Sequence, residues 1–117
     1  MEKQYYWVYI LHCDNNTYYT GYTDDLAKRY HAHVHGTGKC KYTRSFKPLS
    51  IVQCWKVHGD KAFAMQLERQ IKKLTRIEKE KIIARPSKLT TDKRVQTVTK
   101  RVRVLFAESK QFSRVSN

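Results

Sequence analysis

The sequence predicts an α/β domain of the α+β kind: a small three-stranded antiparallel sheet flanked by helices. Three observations carry this. Residues 5 to 12, "YYWVYILH", alternate as a strand does, break at Asp14, Asn15 and Asn16, and return over residues 17 to 22. A later run, "LSIVQCWKV", has the same β-rich character. Two other stretches, "DLAKRYHAH" and "KAFAMQLERQIKKL", space their apolar residues at helical intervals.

Taken in order, the first strand puts Tyr5, Trp7, Tyr9 and Leu11 on one face. The three Asx residues supply the turn, because short Asx side chains bond locally and tolerate left-handed backbone. The returning strand carries Tyr19 and Gly21, and a simple hairpin register sets Tyr9 directly opposite Tyr19, with both rings on one face. Thr23 or Asp24 can cap the next helix. Its residues Leu26, Arg29, Tyr30 and His33 share a face, so a cation stands inside an apolar stripe, where it is costly to bury without an anion. "HGTGKCKYTRSFKP" reads as a basic, glycine-bearing loop before the third strand. Asp60 opens the longest helix, whose stripe is Ala64, Leu67, Ile71 and Leu74, with Glu68 at its border. Thr75 and Glu78 fit a capping box for a last helix through Ile83.

Pro86 marks the expected end of the compact unit, dividing the chain into residues 1–85 and a basic extension, 86–117. The extension has eight basic and two acidic residues, and "VQTVTKRVRVLF" within it either adds a strand or stays loose until a partner arrives.

Charge is the outstanding feature of the composition. The chain has 117 residues, 24 Lys and Arg against 10 Asp and Glu, and a net charge of +14. That excess favours a polyanionic partner, since neutralising phosphates releases condensed counterions. No apolar run approaches the ~18 residues of a spanning helix, and the N-terminal stretch is a poor signal peptide. The expectation is a cytoplasmic protein with no membrane partner. Three widely spaced cysteines, Cys13, Cys40 and Cys54, argue against a disulfide framework.

"WVY", followed ten residues after its tyrosine by "YTG", resembles the paired signature of the GIY-YIG endonuclease superfamily. The likeness extends through Arg29 and His33, then "KYTR", then Glu68 in "LERQIKKLTRIEKEKII", and covers about residues 5 to 83. The whole pattern is similar to small standalone bacterial proteins of that superfamily, related to the N-terminal domain of UvrC and to Slx-type nucleases. Trp7 stands where the signature has its first glycine, Val8 replaces its isoleucine, and Thr20 replaces the isoleucine of "YIG".

The resemblance implies a metal-dependent endonuclease that hydrolyses DNA phosphodiester bonds, structure-selective or weakly sequence-selective, serving DNA repair or recombination. It implies catalytic roles for Tyr9, Tyr19, Arg29, His33 and Glu68. Glu68 would hold one divalent ion, Mg²⁺ or Mn²⁺, because a lone carboxylate completed by waters and phosphate oxygens suits such hard cations. Arg29 would grip a phosphate oxygen. Tyr9 would orient or deprotonate the attacking water, with a neighbouring cation depressing its pKa. Tyr19 would position water or phosphate, and His33 would assist proton transfer. Gly21 would permit close backbone approach.

Lys39, Lys41, Arg44 and Lys47, interleaved with Tyr42 and Phe46, suit a phosphate-tracking loop whose rings stack on bases. Lys39, Lys41, Tyr42, Arg44, Lys47 and Lys72 are therefore the expected contacts to single-stranded, duplex or branched DNA, although Lys72 can equally pair with Glu68 four residues earlier. "HAHVH" does not make a zinc site: His31 and His35 share a helix side, His33 faces elsewhere, and no second cysteine pair completes a tetrahedral set. The rival expectation is a nucleic-acid-binding module of the same fold, for DNA or RNA, with little catalysis alone, and a need for a protein partner stays open.

Overall fold

A computed structural model of the chain describes residues 4–38 and 40–98. Four strands, β1 (Tyr5–Cys13), β2 (Tyr18–Thr23), β3 (Pro48–His58) and β4 (Val95–Thr97), form one antiparallel sheet in the order β2-β1-β3-β4. The helices are α1 (Leu26–His35), α2 (Lys41–Ser45), α3 (Lys61–Lys72) and α4 (Arg76–Ala84), followed by a 3₁₀ turn at Pro86–Lys88.

The alternation of β1 builds two cores. Val8 and Ile10 point to one face, where they pack with Trp55 and Val57 of β3 against Ala64, Leu67, Ile71 and Ile82. Tyr9, Leu11 and Cys13 point to the other, against Leu26 and Tyr30 of α1 with Ile51 and Cys54. Glu68 therefore belongs to a helix packed on one face, while Arg29 and His33 belong to a helix packed on the opposite face. Cys13, Cys40 and Cys54 are buried free thiols.

The sheet departs from the expected three strands because the extension contributes a fourth. β4 pairs with β3 from Trp55↔Thr97 to Val57↔Val95, and the Trp55 indole N–H donates to the Pro86 carbonyl at 2.9 Å. Arg94 lies over the Phe63 ring at 3.9 Å and pairs with Asp92 at 2.8 Å. Packing thus continues past Pro86 to Val98; the rest of "VQTVTKRVRVLF" lies outside the described residues, as does Lys39.

Caps explain most helix boundaries. Asp25, rather than Thr23 or Asp24, caps α1 by accepting from the Lys28 N–H, while the Thr23 hydroxyl accepts from the Asp25 N–H. Asp60 caps α3 and the Thr75–Glu78 capping box opens α4, both as expected. The basic loop is not all loop: "KYTRS" forms α2, held by backbone bonds such as Arg44 N–H to Cys40 O. Among the described residues, no helix is long and apolar enough to cross a membrane.

Candidate active site

The hairpin register differs from expectation. Tyr9 stands opposite Gly21, and Tyr19 stands opposite Leu11. The displacement is two residues, and because side chains alternate with period two, both rings still project from one face. Gly21 makes that possible. A Cβ there would lie 2.6 Å from Tyr9 Oη, 2.8 Å from its Cζ and 3.2 Å from Tyr19 Cε1. The Tyr9 ring lies across the glycine backbone, in space any other residue would fill.

His33 projects from α1 into this ring cluster. It is buried, with ring centroids 5.6 Å from Tyr9 and 5.1 Å from Tyr19. Its Nε2 lies 2.7 Å from Tyr9 Oη, and its Nδ1 lies 2.8 Å from the Thr43 hydroxyl oxygen. The Thr43 hydroxyl itself donates to the Cys40 carbonyl at 3.4 Å. A hydroxyl has one proton, so Thr43 accepts from His33 Nδ1–H, which leaves Nε2 as the acceptor for the Tyr9 hydroxyl. Four groups thus stand in one directed chain: Tyr9, His33, Thr43 and the Cys40 carbonyl.

Burial governs the electrostatics. The Tyr9 phenol is raised well above its ordinary value, chiefly by burial and next by Tyr19, with Arg29 opposing. Burial raises Tyr19 too, aided by the Cys40 thiol and opposed by Arg29. The expected depression of Tyr9 by a cation is therefore reversed: Arg29 acts in the anticipated direction, but desolvation outweighs it. His33 is lowered to about 4 by burial and by Arg29, so its ring is neutral at physiological pH.

Arg29 is half-buried, and its Nη1 lies 4.0 Å from the Cys40 sulfur. Among the described residues the ion pairs are Lys72–Glu68 and Arg94–Asp92, so no carboxylate neutralises Arg29. A guanidinium withdrawn from water without a carboxylate partner is a receptive place for an anion.

Glu68 reaches the same place from α3. Tyr9, Tyr19, Gly21, Arg29 and Glu68 all line one cleft of about 420 Å³, together with Tyr6, Tyr22, Thr23, Asp24 and Lys61. His33 stands behind the cleft, in contact through Tyr9. Another hollow of about 480 Å³, beside β4, contains none of the five expected catalytic residues. The Glu68 side chain is 15% exposed, and its Oε1 lies 3.2 Å from Lys72 Nζ. Among the described residues no three His, Cys, Asp or Glu side chains gather as a closed metal cage, and the rings of His31 and His35 form only an exposed pair 4.1 Å apart. The donor set at the cleft suits a hard divalent ion that keeps most of its waters, because one carboxylate suffices for it.

The expected nucleic-acid contacts divide. Arg44 and Lys47 are exposed, and the stem of Arg44 packs on Gly36, where an added Cβ would lie 2.9 Å from Arg44 Cγ. Lys41 begins α2. Tyr42 stacks on Tyr19 at 5.7 Å and meets Phe46 at 5.1 Å, while its hydroxyl is bonded to Thr17. It buttresses a site ring. Lys72 is beside Glu68, as the pairing alternative anticipated.

Two contributors escaped the sequence reading. Thr43 lay inside the noted "KYTR", but its bond to His33 depends on α2, whose five residues carry little periodic signal. Lys61 had a legible signal: it precedes Glu68 by seven residues and so shares its helix face.

Residues 5–81 match the model of the GIY-YIG catalytic domain. The UPF0213 protein OB0043 of Oceanobacillus iheyensis is 45% identical over 83 residues, covering 71% of this chain and 93% of that protein. The UPF0213 protein BCE33L0031 of Bacillus cereus is 35% identical over 97 residues, covering 83% of this chain and 99% of its own. The solution NMR structure of the UPF0213 protein BH0048 from Bacillus halodurans is 38% identical, covers 74% of this chain and 94% of that one, and superposes with a TM-score of 0.44.

Proposed function

The chain belongs to the GIY-YIG catalytic-domain family, and from that premise we propose that it is a metal-dependent endonuclease hydrolysing DNA phosphodiester bonds. The observation that carries the proposal is convergence. Tyr9, Tyr19, Arg29 and Glu68 are scattered along the sequence and arise from both faces of the sheet, yet they line one cleft.

In this reading Arg29 receives a nonbridging phosphate oxygen, the anion its surroundings lack. Glu68 would hold a Mg²⁺ or Mn²⁺ ion, which would supply charge stabilisation to the phosphate and the departing 3′ oxygen. Tyr9 accepts a hydrogen bond from the attacking water while donating its own proton toward His33 Nε2. As the water oxygen bonds to phosphorus and the bond to the 3′ oxygen breaks, the water proton passes to Tyr9 Oη and the Tyr9 proton passes to His33, so no phenolate forms, and the departing 3′ oxygen takes a proton from solvent. That route suits a phenol whose ionisation is opposed by burial. A phosphate on Arg29 also cancels the second cause of His33's weak basicity. Tyr19, held by Tyr42, orients water or phosphate.

Lys61 and Lys72 flank Glu68 on α3, and the α2 segment with Lys39, Lys41, Arg44 and Lys47 supplies further positive charge, so DNA backbone contacts are assigned to these residues. Substrates of unusual structure, in repair or recombination, and a cytoplasmic setting complete the proposal. The test is incubation with labelled single-stranded, duplex and branched DNA in Mg²⁺, Mn²⁺ or EDTA. Metal-dependent cutting, abolished in Glu68→Ala and Arg29→Ala, is expected; binding without cutting under every metal defeats it.

One observation favours a second reading, a DNA- or RNA-binding module: Glu68 is engaged by Lys72 rather than open on both sides. On that reading Glu68→Ala leaves binding independent of metal and, by removing a negative charge and freeing Lys72, does not weaken it.

A further inference from the structure

The face of β1 that carries Tyr9 continues beyond the cleft. Trp7 and Tyr5 follow at successive same-face positions, and Lys56 of β3 is the direct cross-strand neighbour of Trp7. On its other side Trp7 pairs with Thr23, which lines the cleft. The two rings meet edge to face, 6.5 Å apart at 90°, and the Lys56 ammonium lies 4.5 Å above Tyr5 and 5.8 Å from Trp7. Tyr5 is 38% exposed, Trp7 and Lys56 are half-buried, and among the described residues no carboxylate pairs with Lys56.

Two accessible rings and an unneutralised ammonium, contiguous with an anion-receptive cleft, match one chemistry closely: a flat base attached to a phosphate. We propose that Tyr5, Trp7 and Lys56 form a subsite for an unpaired nucleobase of single-stranded DNA and its adjoining phosphate, flanking the cleft. A stacked base contributes about two to three times what an exposed ammonium–ring contact does. The base therefore displaces Lys56 from the ring faces, and the released ammonium takes the phosphate. This rests on the reading of the cleft as a DNA site, but not on its cutting DNA. It also gives Trp7, one of the three departures from the family signature, a role that glycine could not serve.

The protein offers its own probe. Of its two tryptophans, Trp55 is 1% exposed with its indole N–H bound to Pro86, so ligand-dependent quenching reports Trp7. The full chain is titrated in EDTA and low salt with a short oligo-dT and with an abasic oligomer of equal length and charge. Oligo-dT is expected to quench saturably and to bind about five- to ten-fold tighter than the abasic strand. Tyr5→Ala removes most of that preference with unchanged melting behaviour, and Tyr5→Phe restores it. Equal affinities without quenching overturn the subsite even if the cleavage assay succeeds. A base preference that survives while no metal supports cutting sinks the nuclease reading instead and leaves the subsite standing.

Discussion

Replacing Gly21 by alanine tests the geometry on which the candidate site depends. The backbone of Gly21 is not among the positive-φ positions, which among the described residues are Asn16, Gly36, Gly38 and Gly59, so alanine meets no conformational barrier there. The whole cost is steric. The new Cβ would sit 2.6 Å from Tyr9 Oη and 2.8 Å from Cζ, where ordinary contact begins near 3.4 Å, so the ring must recede by roughly 0.8 Å. Retreat is resisted: Tyr9 is bonded to His33 at 2.7 Å, and Tyr19, the next atom met, is stacked on Tyr42. Overpacking of this kind costs about 1–3 kcal/mol, and each kcal/mol lowers the Tm of a domain this size by about 4–8 °C. Thermal and urea unfolding of Gly21→Ala measure it, with Gly38→Ala as the contrast. At Gly38 nothing lies within 4 Å of an added Cβ, and φ is +65°, so that cost is backbone strain alone. The decisive readout is the cycle with Tyr9→Phe, which removes the nearest atom but leaves Cζ. The Gly21→Ala penalty should shrink by at least ~0.5 kcal/mol in that background. A Gly21→Ala protein melting within about 2 °C of wild type, or a penalty unchanged by Tyr9→Phe, refutes the argument.

Thr43→Val keeps the shape but leaves the buried His33 Nδ1–H without its acceptor, at about 1–3 kcal/mol. Cleavage should fall at least ~10-fold with unaltered metal dependence, and Thr43→Ser should recover it; equal activity of the valine variant removes Thr43 from the relay. His33 gives a pH signature. Its folded pKa of about 4 lies below the unfolded ~6.5, so the fold favours the neutral ring. That contribution is complete above pH ~6.5, declines as pH falls toward 4 and is exhausted below, a loss of up to ~3 kcal/mol. Urea midpoints across this window should fall with pH in wild type and flatten in His33→Gln. Lys72→Ala removes an exposed i,i+4 partner worth about 0.3–0.5 kcal/mol. Half-saturating Mn²⁺ in cleavage should drop about two-fold, and an increase contradicts the assignment of the ion to Glu68.

The first three strands, the helices α1, α3 and α4, and the caps Asp60 and Thr75 were legible because their signals are local, whereas the cap of α1 fell one residue beyond the expected Thr23 or Asp24, at Asp25. Alternation in "YYWVYILH" announces a strand whatever its partners do, and Thr75 with Glu78 announces a helix start from four residues. What was illegible depended on distant partners. The register between β1 and β2 follows from the turn path after Cys13 and from the need to seat the Tyr9 ring over Gly21, neither of which alternation encodes. β4 is three residues long and becomes a strand only because β3 offers it an edge. The sign of the Tyr9 shift was likewise inaccessible. Sequence supplies the neighbouring cation, but the desolvation that outweighs it arises only when the core between the sheet and α1 has closed around the ring.

That last reversal bears on how a buried phenol can serve a hydrolytic site. A tyrosine made acidic by a cation would act as a phenolate and would need no histidine. A tyrosine kept protonated can activate water only if its own proton has somewhere to go, and the acceptor must have its lone pair turned toward the phenol. His33 Nε2 meets that condition solely because Nδ1–H is committed to Thr43, whose own proton is committed to Cys40. The relay thus makes α2 a part of the candidate chemistry through Thr43, independently of the phosphate contacts proposed for Lys41 and Arg44. If His33 carried its proton on Nε2 instead, as ¹⁵N chemical shifts of the imidazole would reveal, Tyr9 could only accept from it, and its service as a water-activating group would fail whatever lined the cleft.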